Sequence, residues 1–243
     1  LALGLVYATI DSLLKRPLDY PTLVENLPPV VQSGHLKAWS PDPAEEQWFS
    51  SVGLGGDVAA QDPQTAVVAL NNATGGKLDA YVTPSVTVRR GICQVDDGSG
   101  DQWSAIEVTL QNDAPSGLPE YVDVRLDNPD APSGSTRSLV HVYGPTGTEI
   151  VDAYRDGEFA TLMAGPEAGR PVWGTDTEIL QGESSTVTFV YRESPSTTVD
   201  PAAVVPGTAV PAQVSVDEVG SSQACPESAP EPEQLATALP SLG

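Results

Sequence analysis

Between Thr65 and Tyr191 the chain is a succession of short runs rich in β-branched and aromatic residues, each closed by Gly, Pro, Asp, Asn or Ser. Runs of this length with a turn after each one can bury their apolar side only by stacking as sheets. The spacing predicts strands at residues 65–71, 78–82, 85–93, 103–112, 120–125, 137–143, 149–155, 158–164, 172–180 and 184–191. Alternation is clearest in Ile106-Glu107-Val108-Thr109-Leu110 and in Val187-Thr188-Phe189-Val190-Tyr191, where successive side chains must take opposite faces. Residues 96–101, 128–135, 143–148 and 165–169 carry the turn chemistry between them. The expected fold class is mainly β, an immunoglobulin-like antiparallel β-sandwich over 61–193 preceded by a small helical segment.

That helical segment, residues 1–60, has a different period. Leu3, Val6, Tyr7, Ile10, Leu13 and Leu14 recur every three or four residues until Pro17. A second helix is expected from Tyr20 to about Leu27, stopped by Pro28-Pro29, with a further turn between Val30 and His35. Asp42-Pro43-Ala44-Glu45-Glu46 reads as a helix start, with Asp42 as cap and Pro43 in the first turn, for a helix reaching about Val52. Beginning at Leu1 already in helical rhythm, the segment reads as the remnant of an upstream domain.

Charge narrows the partners. The formal net charge is −22, with 33 acidic against 11 basic residues, and the only basic pairs are Lys15-Arg16 and Arg89-Arg90. Binding to nucleic acid needs clustered cations, so that class is excluded, and an anionic membrane should repel this fragment. No apolar run approaches the roughly 20 residues of a spanning helix. After Arg192 no basic residue appears, and residues 194–243 are expected to form a Pro-rich, acidic, largely extended tail. Within it Ala212-Gln213-Val214-Ser215-Val216 alternates like an edge strand, so 212–225 is expected to dock on the sandwich, leaving the last dozen residues loose.

Several runs, taken in order, resemble the C-terminal half of the domain-of-unknown-function family 4012 of actinobacterial envelope proteins. They are His35-Leu36-Lys37-Ala38-Trp39-Ser40, Asp42-Pro43-Ala44-Glu45, and the most specific piece, the stretch from Leu70-Asn71-Asn72-Ala73-Thr74-Gly75-Gly76-Lys77-Leu78-Asp79 to Tyr81. Val108-Thr109-Leu110-Gln111-Asn112, Leu118-Pro119-Glu120-Tyr121, Val142-Tyr143-Gly144-Pro145 and Gly182-Glu183-Ser184 follow. The resemblance implies a membrane-anchored, outward-facing protein whose anchor lies in a missing N-terminal segment, and it implies no established activity.

Three constellations carry chemistry. In the Asn71–Asp79 run, Asn71, Asn72, Thr74, Lys77 and Asp79 could form a polar loop that hydrogen-bonds a sugar or peptide, or the amides could simply hold the turn. Asp96, Asp97 and Asp101 supply oxygen ligands of the kind Ca²⁺ takes, without EF-hand spacing or a terminal Glu. Cys93 and Cys225 are the only cysteines, and in an exported chain they are expected to pair across a loop of roughly 130 residues. No Cys/His spacing suits zinc.

Nothing in the sequence assembles a catalytic set. His35 and His141 stand near no recognisable nucleophile motif, and Trp39, Trp48, Trp103 and Trp173 are too scattered for an aromatic platform, so core packing is expected of them. The expectation is a non-catalytic extracytoplasmic module of a cell-envelope protein, with a display, assembly or recognition role and a protein or glycan partner. An accessory domain of an enzyme acting on envelope polymers and a calcium-assisted adhesion module are the rival readings. No cofactor is expected beyond the Ca²⁺ considered above, and the oligomeric state is left open.

Overall fold

The computed structural model describes residues 4, 7–8, 11–12, 15, 20–56, 62–194 and 203–226. Most of the first expected helix, and the last dozen residues of the tail, lie outside this set. The chain divides into two compact units, Leu1–Gly55 and Gly56–Gly243.

The first unit is helical where it is described. Helix α1 spans Tyr20–Gln32 and α2 spans Pro43–Ser51. Asp42 caps α2, its carboxylate accepting from Ala44 N at 2.8 Å and Glu45 N at 3.3 Å. The expected stop at Pro28-Pro29 is corrected, because both prolines lie inside α1. Proline's fixed φ is itself helical, so the helix loses two N–H donors there and resumes with Ser33 N to Pro29 O at 3.0 Å. Gly34, at φ 77°, ends it. Core packing is also corrected for two tryptophans: Trp39 and Trp48 are 76% and 57% exposed. Among the described residues of this unit no hydrophobic side chain is buried.

The second unit is mainly β, with two sheets. The strands are β1 (Ala66–Asn72), β2 (Val82–Gln94), β3 (Gln102–Asn112), β4 (Thr136–Tyr143), β5 (Glu149–Arg155) and β6 (Glu158–Phe159). They continue with β7 (Met163–Glu167), β8 (Arg170–Ile179), β9 (Ser184–Glu193), β10 (Ala203–Val204) and β11 (Gln213–Glu218). One sheet has the order β10-β1-β4-β8-β7 and the other β11-β2-β3-β9-β5-β6. The alternation seen in the sequence sends Val68, Val140, Val142 and Trp173 from the first sheet into one core with Val86, Ile106, Val108 and Phe189 from the second. Trp173 stacks on Tyr191 at 5.4 Å across it.

Some expected elements differ. The expected strand at 78–82 is corrected: Leu78–Tyr81 is a 3₁₀ turn and only Val82 is strand, as the first residue of β2, because the preceding loop folds on itself through Asn72 and Asp79. Glu120–Asp123 is a helical turn (α3) and not a strand, started by Pro119, whose carbonyl accepts from Val122 N and Asp123 N. The run 158–164 is divided between β6 and β7 in opposite sheets. The expected turn at 165–169 is β7 plus a tight hairpin at Ala168-Gly169, with φ 51° and 76°. Pairing is not wholly antiparallel. β10 pairs with β1 and β11 with β2 in parallel, since both return from the tail along the outer edges of strands already in place.

Candidate functional site

The tail comes back to the β unit on a covalent clip and a short charge zipper. Cys93 and Cys225 form a disulfide, with Cα atoms 4.9 Å apart and a sequence separation of 132. Around it Gln94 N donates to Gln223 O and Cys225 N to Gln94 O, each at 2.7 Å. The parallel register sets Asp217 beside Arg89 and Glu218 beside Arg90. Their ion pairs measure 3.5 and 3.7 Å. The lone basic pair of the β region thus meets acidic tail residues. Arg90 also reaches the buried carboxylate of Glu193 at 3.3 Å, which accepts in turn from Ser104 Oγ at 2.5 Å and Gln102 Nε2 at 2.8 Å.

The conspicuous Asn-Asn-Ala-Thr-Gly-Gly-Lys-Leu-Asp run splits into two roles. Asn72 Oδ1 accepts from Thr74 N at 2.7 Å, Thr74 Oγ1 at 2.9 Å and Gly75 N at 3.0 Å. Its Nδ2 donates to Gly76 O at 3.1 Å and to Asp79 Oδ2 at 2.7 Å. Thr74 is 1% exposed and its hydroxyl also accepts from Gly76 N. Asn72 and Thr74 therefore hold the loop. Gly76 has to be glycine, because a Cβ there would sit 2.7 Å from Val124 O and 2.9 Å from Val122 O. Lys77 ties in through its backbone, N to Val122 O at 2.8 Å, while its side chain is exposed.

Asn71 and Asp79, together with Asn72, line a cleft of about 260 Å³. Leu70, Val82 and Pro84 form apolar wall, Ser138 of β4 adds a hydroxyl, and Gly207, Thr208 and Ala209 of the β10–β11 connection close the far side. Asn71 Nδ2 lies 3.4 Å from His141 Nδ1. Reading the sequence found Asn71 and Asp79 but missed Ser138 and Thr208, which stand 67 and 137 residues beyond Asn71 and carry no local signal.

Asp96, Asp97 and Asp101 are not brought together as ligands. The Arg192 guanidinium takes Asp101 Oδ2 at 2.6 Å and Asp97 Oδ2 at 2.7 Å. Hydrogen bonds from Ser99, then Arg192, hold the Asp97 carboxyl down at about 2. Among the described residues no group of three His, Cys, Asp or Glu could hold a metal ion. His35 Nδ1 is 2.7 Å from Ser33 Oγ, whose hydroxyl donates to Val30 O at 3.1 Å, so this pair is a helix-end contact and not an activated nucleophile.

Fold and site together define a class no finer than a two-sheet β module with its C-terminal segment clipped on by a disulfide. No protein-family model and no curated protein matches the sequence. Among solved structures, a protein described as nutrient-binding from Legionella pneumophila gives a TM-score of 0.28 at 6% identity, over 53% of this chain and 43% of that one. An M1 zinc metallopeptidase from Deinococcus radiodurans gives 0.24 at 11% identity, over 47% of this chain and 21% of that one. The matches span less than half of either protein, and likeness at this level carries no argument. No helix among the described residues is long and apolar enough to cross a membrane.

Proposed function

We propose that the chain is a non-catalytic extracytoplasmic recognition module of a membrane-anchored cell-envelope protein, an immunoglobulin-like sandwich resembling the C-terminal half of the domain-of-unknown-function family 4012 proteins. The observation that carries the reading is the Cys93–Cys225 bridge. A structural disulfide joining β2 to the returning segment is characteristic of compartments where thiols are kept oxidised, outside the cytoplasm. The cleft beside the Asn71–Asp79 loop supports recognition over mere display, since it combines apolar wall with uncommitted polar atoms. The strongly acidic surface supports a neutral or cationic partner.

The test is made on the protein in its producing cells. Thiol titration without reductant should find no reactive cysteine, and protease added to intact cells should degrade the protein. Two free thiols, or protection until the cells are broken, would overturn the assignment of compartment. A binding screen against envelope glycans and peptides then tests recognition itself.

A further inference from the structure

We infer that the cleft between the Asn71–Asp79 loop and the returning tail binds an aliphatic primary ammonium group, as carried by a lysine side chain or a short diamine. This deepens the recognition role proposed above and rests on it for biological meaning, while the chemistry stands on the cleft alone.

Apart from Asn72, whose amide is fully engaged in its own loop, the polar side chains lining the cleft have spare capacity, and almost all of it accepts. Asp79 uses one carboxylate oxygen for Asn72 Nδ2 and, among the described residues, makes no ion pair and has no partner for the second oxygen. The amide nitrogen of Asn71 is turned to His141, and its side-chain carbonyl oxygen has no partner among the described residues. Ser138 is 5% exposed and Thr208 half-buried, and neither hydroxyl has a partner among the described residues. A carboxylate, an amide carbonyl and two hydroxyls suit a group that only donates, and an ammonium offers three N–H donors and no acceptor. Leu70, Val82 and Pro84 provide apolar surface for a methylene stem. The volume, about 260 Å³, is enough for a single side chain.

Lys77, exposed in the same loop, makes no ion pair among the described residues and is the cation a ligand has to outcompete, whereas the arginines of the β unit are engaged elsewhere. Arg89, Arg90, Arg125, Arg137, Arg155 and Arg192 each hold a carboxylate elsewhere. Arg170 holds the carbonyls of Thr65 and Gly144. The net charge of −22 adds a field that gathers cations at the surface. Because Thr208 comes from the clipped tail, the cleft is complete only while the segment is docked.

The experiment is an NMR titration of the full chain with two amines, cadaverine and Nα-acetyl-lysine N-methylamide, against the Nε-acetylated form of the latter, which keeps the stem and loses the charge. Expected are saturable shifts confined to residues around Asn71, Asp79, Ser138 and Thr208, with the acetylated control at least about tenfold weaker. Stronger binding of the lysine derivative points to a peptide-borne amine, and stronger binding of cadaverine to a free one. Asp79→Asn retains an oxygen for Asn72 and should weaken binding about tenfold at an unchanged melting temperature. If that variant unfolds, Ser138→Ala and Asn71→Leu replace it, each expected to weaken binding several-fold. Equal binding of the acetylated control, shifts spread over the whole acidic surface and abolished by moderate salt, or unweakened binding in all folded variants would overturn the proposal. None of these outcomes bears on the thiol and protease tests, so the two readings fail separately.

Discussion

At the scale of single residues, adjacent asparagines have opposite fates. Asn72 makes five hydrogen bonds within its own loop, whereas Asn71 makes one long contact with His141. Asn72→Ala should therefore lower stability by about 1–3 kcal/mol, since several loop groups lose their partner. Asn71→Ala should change it by no more than about 0.5 kcal/mol. Urea melts of the two variants check this. Acid sensitivity is also set residue by residue. Asp97 is held at about 2 by Ser99 and Arg192, and Asp127 at about 2 by its paired hydrogen bonds to the Arg125 guanidinium. Both folded values lie below the ordinary carboxylate value. Their stabilising contribution is thus complete above about pH 5 and is lost as pH falls from about 4 to about 2. Thermal melts over that range should show a falling melting temperature, and the fall should be shallower in Asp127→Asn.

At the scale of elements, β11 is the strand whose place depends most on help from outside itself. Its side chains are mostly exposed, Val214 and Val216 included, so burial contributes little. Backbone pairing with β2, the Arg89–Asp217 and Arg90–Glu218 pairs and the disulfide hold it instead. Replacing both cysteines by serine should lower global stability by at most about 4–5 kcal/mol, the loop-entropy limit for a bridge of this span. Hydrogen exchange is the sharper measurement: amides of 213–225 should lose protection, while β3 and β9, in the middle of their sheet, keep theirs. Unchanged exchange in the tail of the cysteine-free protein would show that pairing and charge hold the strand without the bridge.

At the scale of the whole molecule, the surplus of carboxylates acts as a field. Arg192 spans Asp97 and Asp101, so calcium would have to displace a guanidinium held at 2.6 and 2.7 Å. The melting temperature is expected to be the same in millimolar Ca²⁺ and in chelator, as differential scanning calorimetry will read. A rise of several degrees with Ca²⁺ would restore the calcium-assisted adhesion reading. Among the described residues Asp79 has no ion pair, so the molecule-wide surplus of carboxylates bears on one small cleft.

Alternation of side chains determined the β character of residues 65–191, because a period of two buries one face whatever the partner strand is. The cap at Asp42 and the turn chemistry of the Asn-Gly-rich loop were equally local, and both could be read from neighbouring residues. Pairing of the two cysteines followed from their being alone. Where short apolar runs lay beside prolines and glycines the composition misled: 78–82 and 120–125 hold β-branched and aromatic residues between turn residues, yet Leu78–Tyr81 and Glu120–Asp123 close their hydrogen bonds within loops. What only the tertiary structure decided was everything that depends on distant partners. Sheet order, the parallel return of β10 and β11, Arg192 across two aspartates, and the meeting of Asn71 and Asp79 with Ser138 and Thr208 all join residues far apart in the chain. No local preference encodes such pairings, since they arise from which surfaces can be buried together once the sheets have formed.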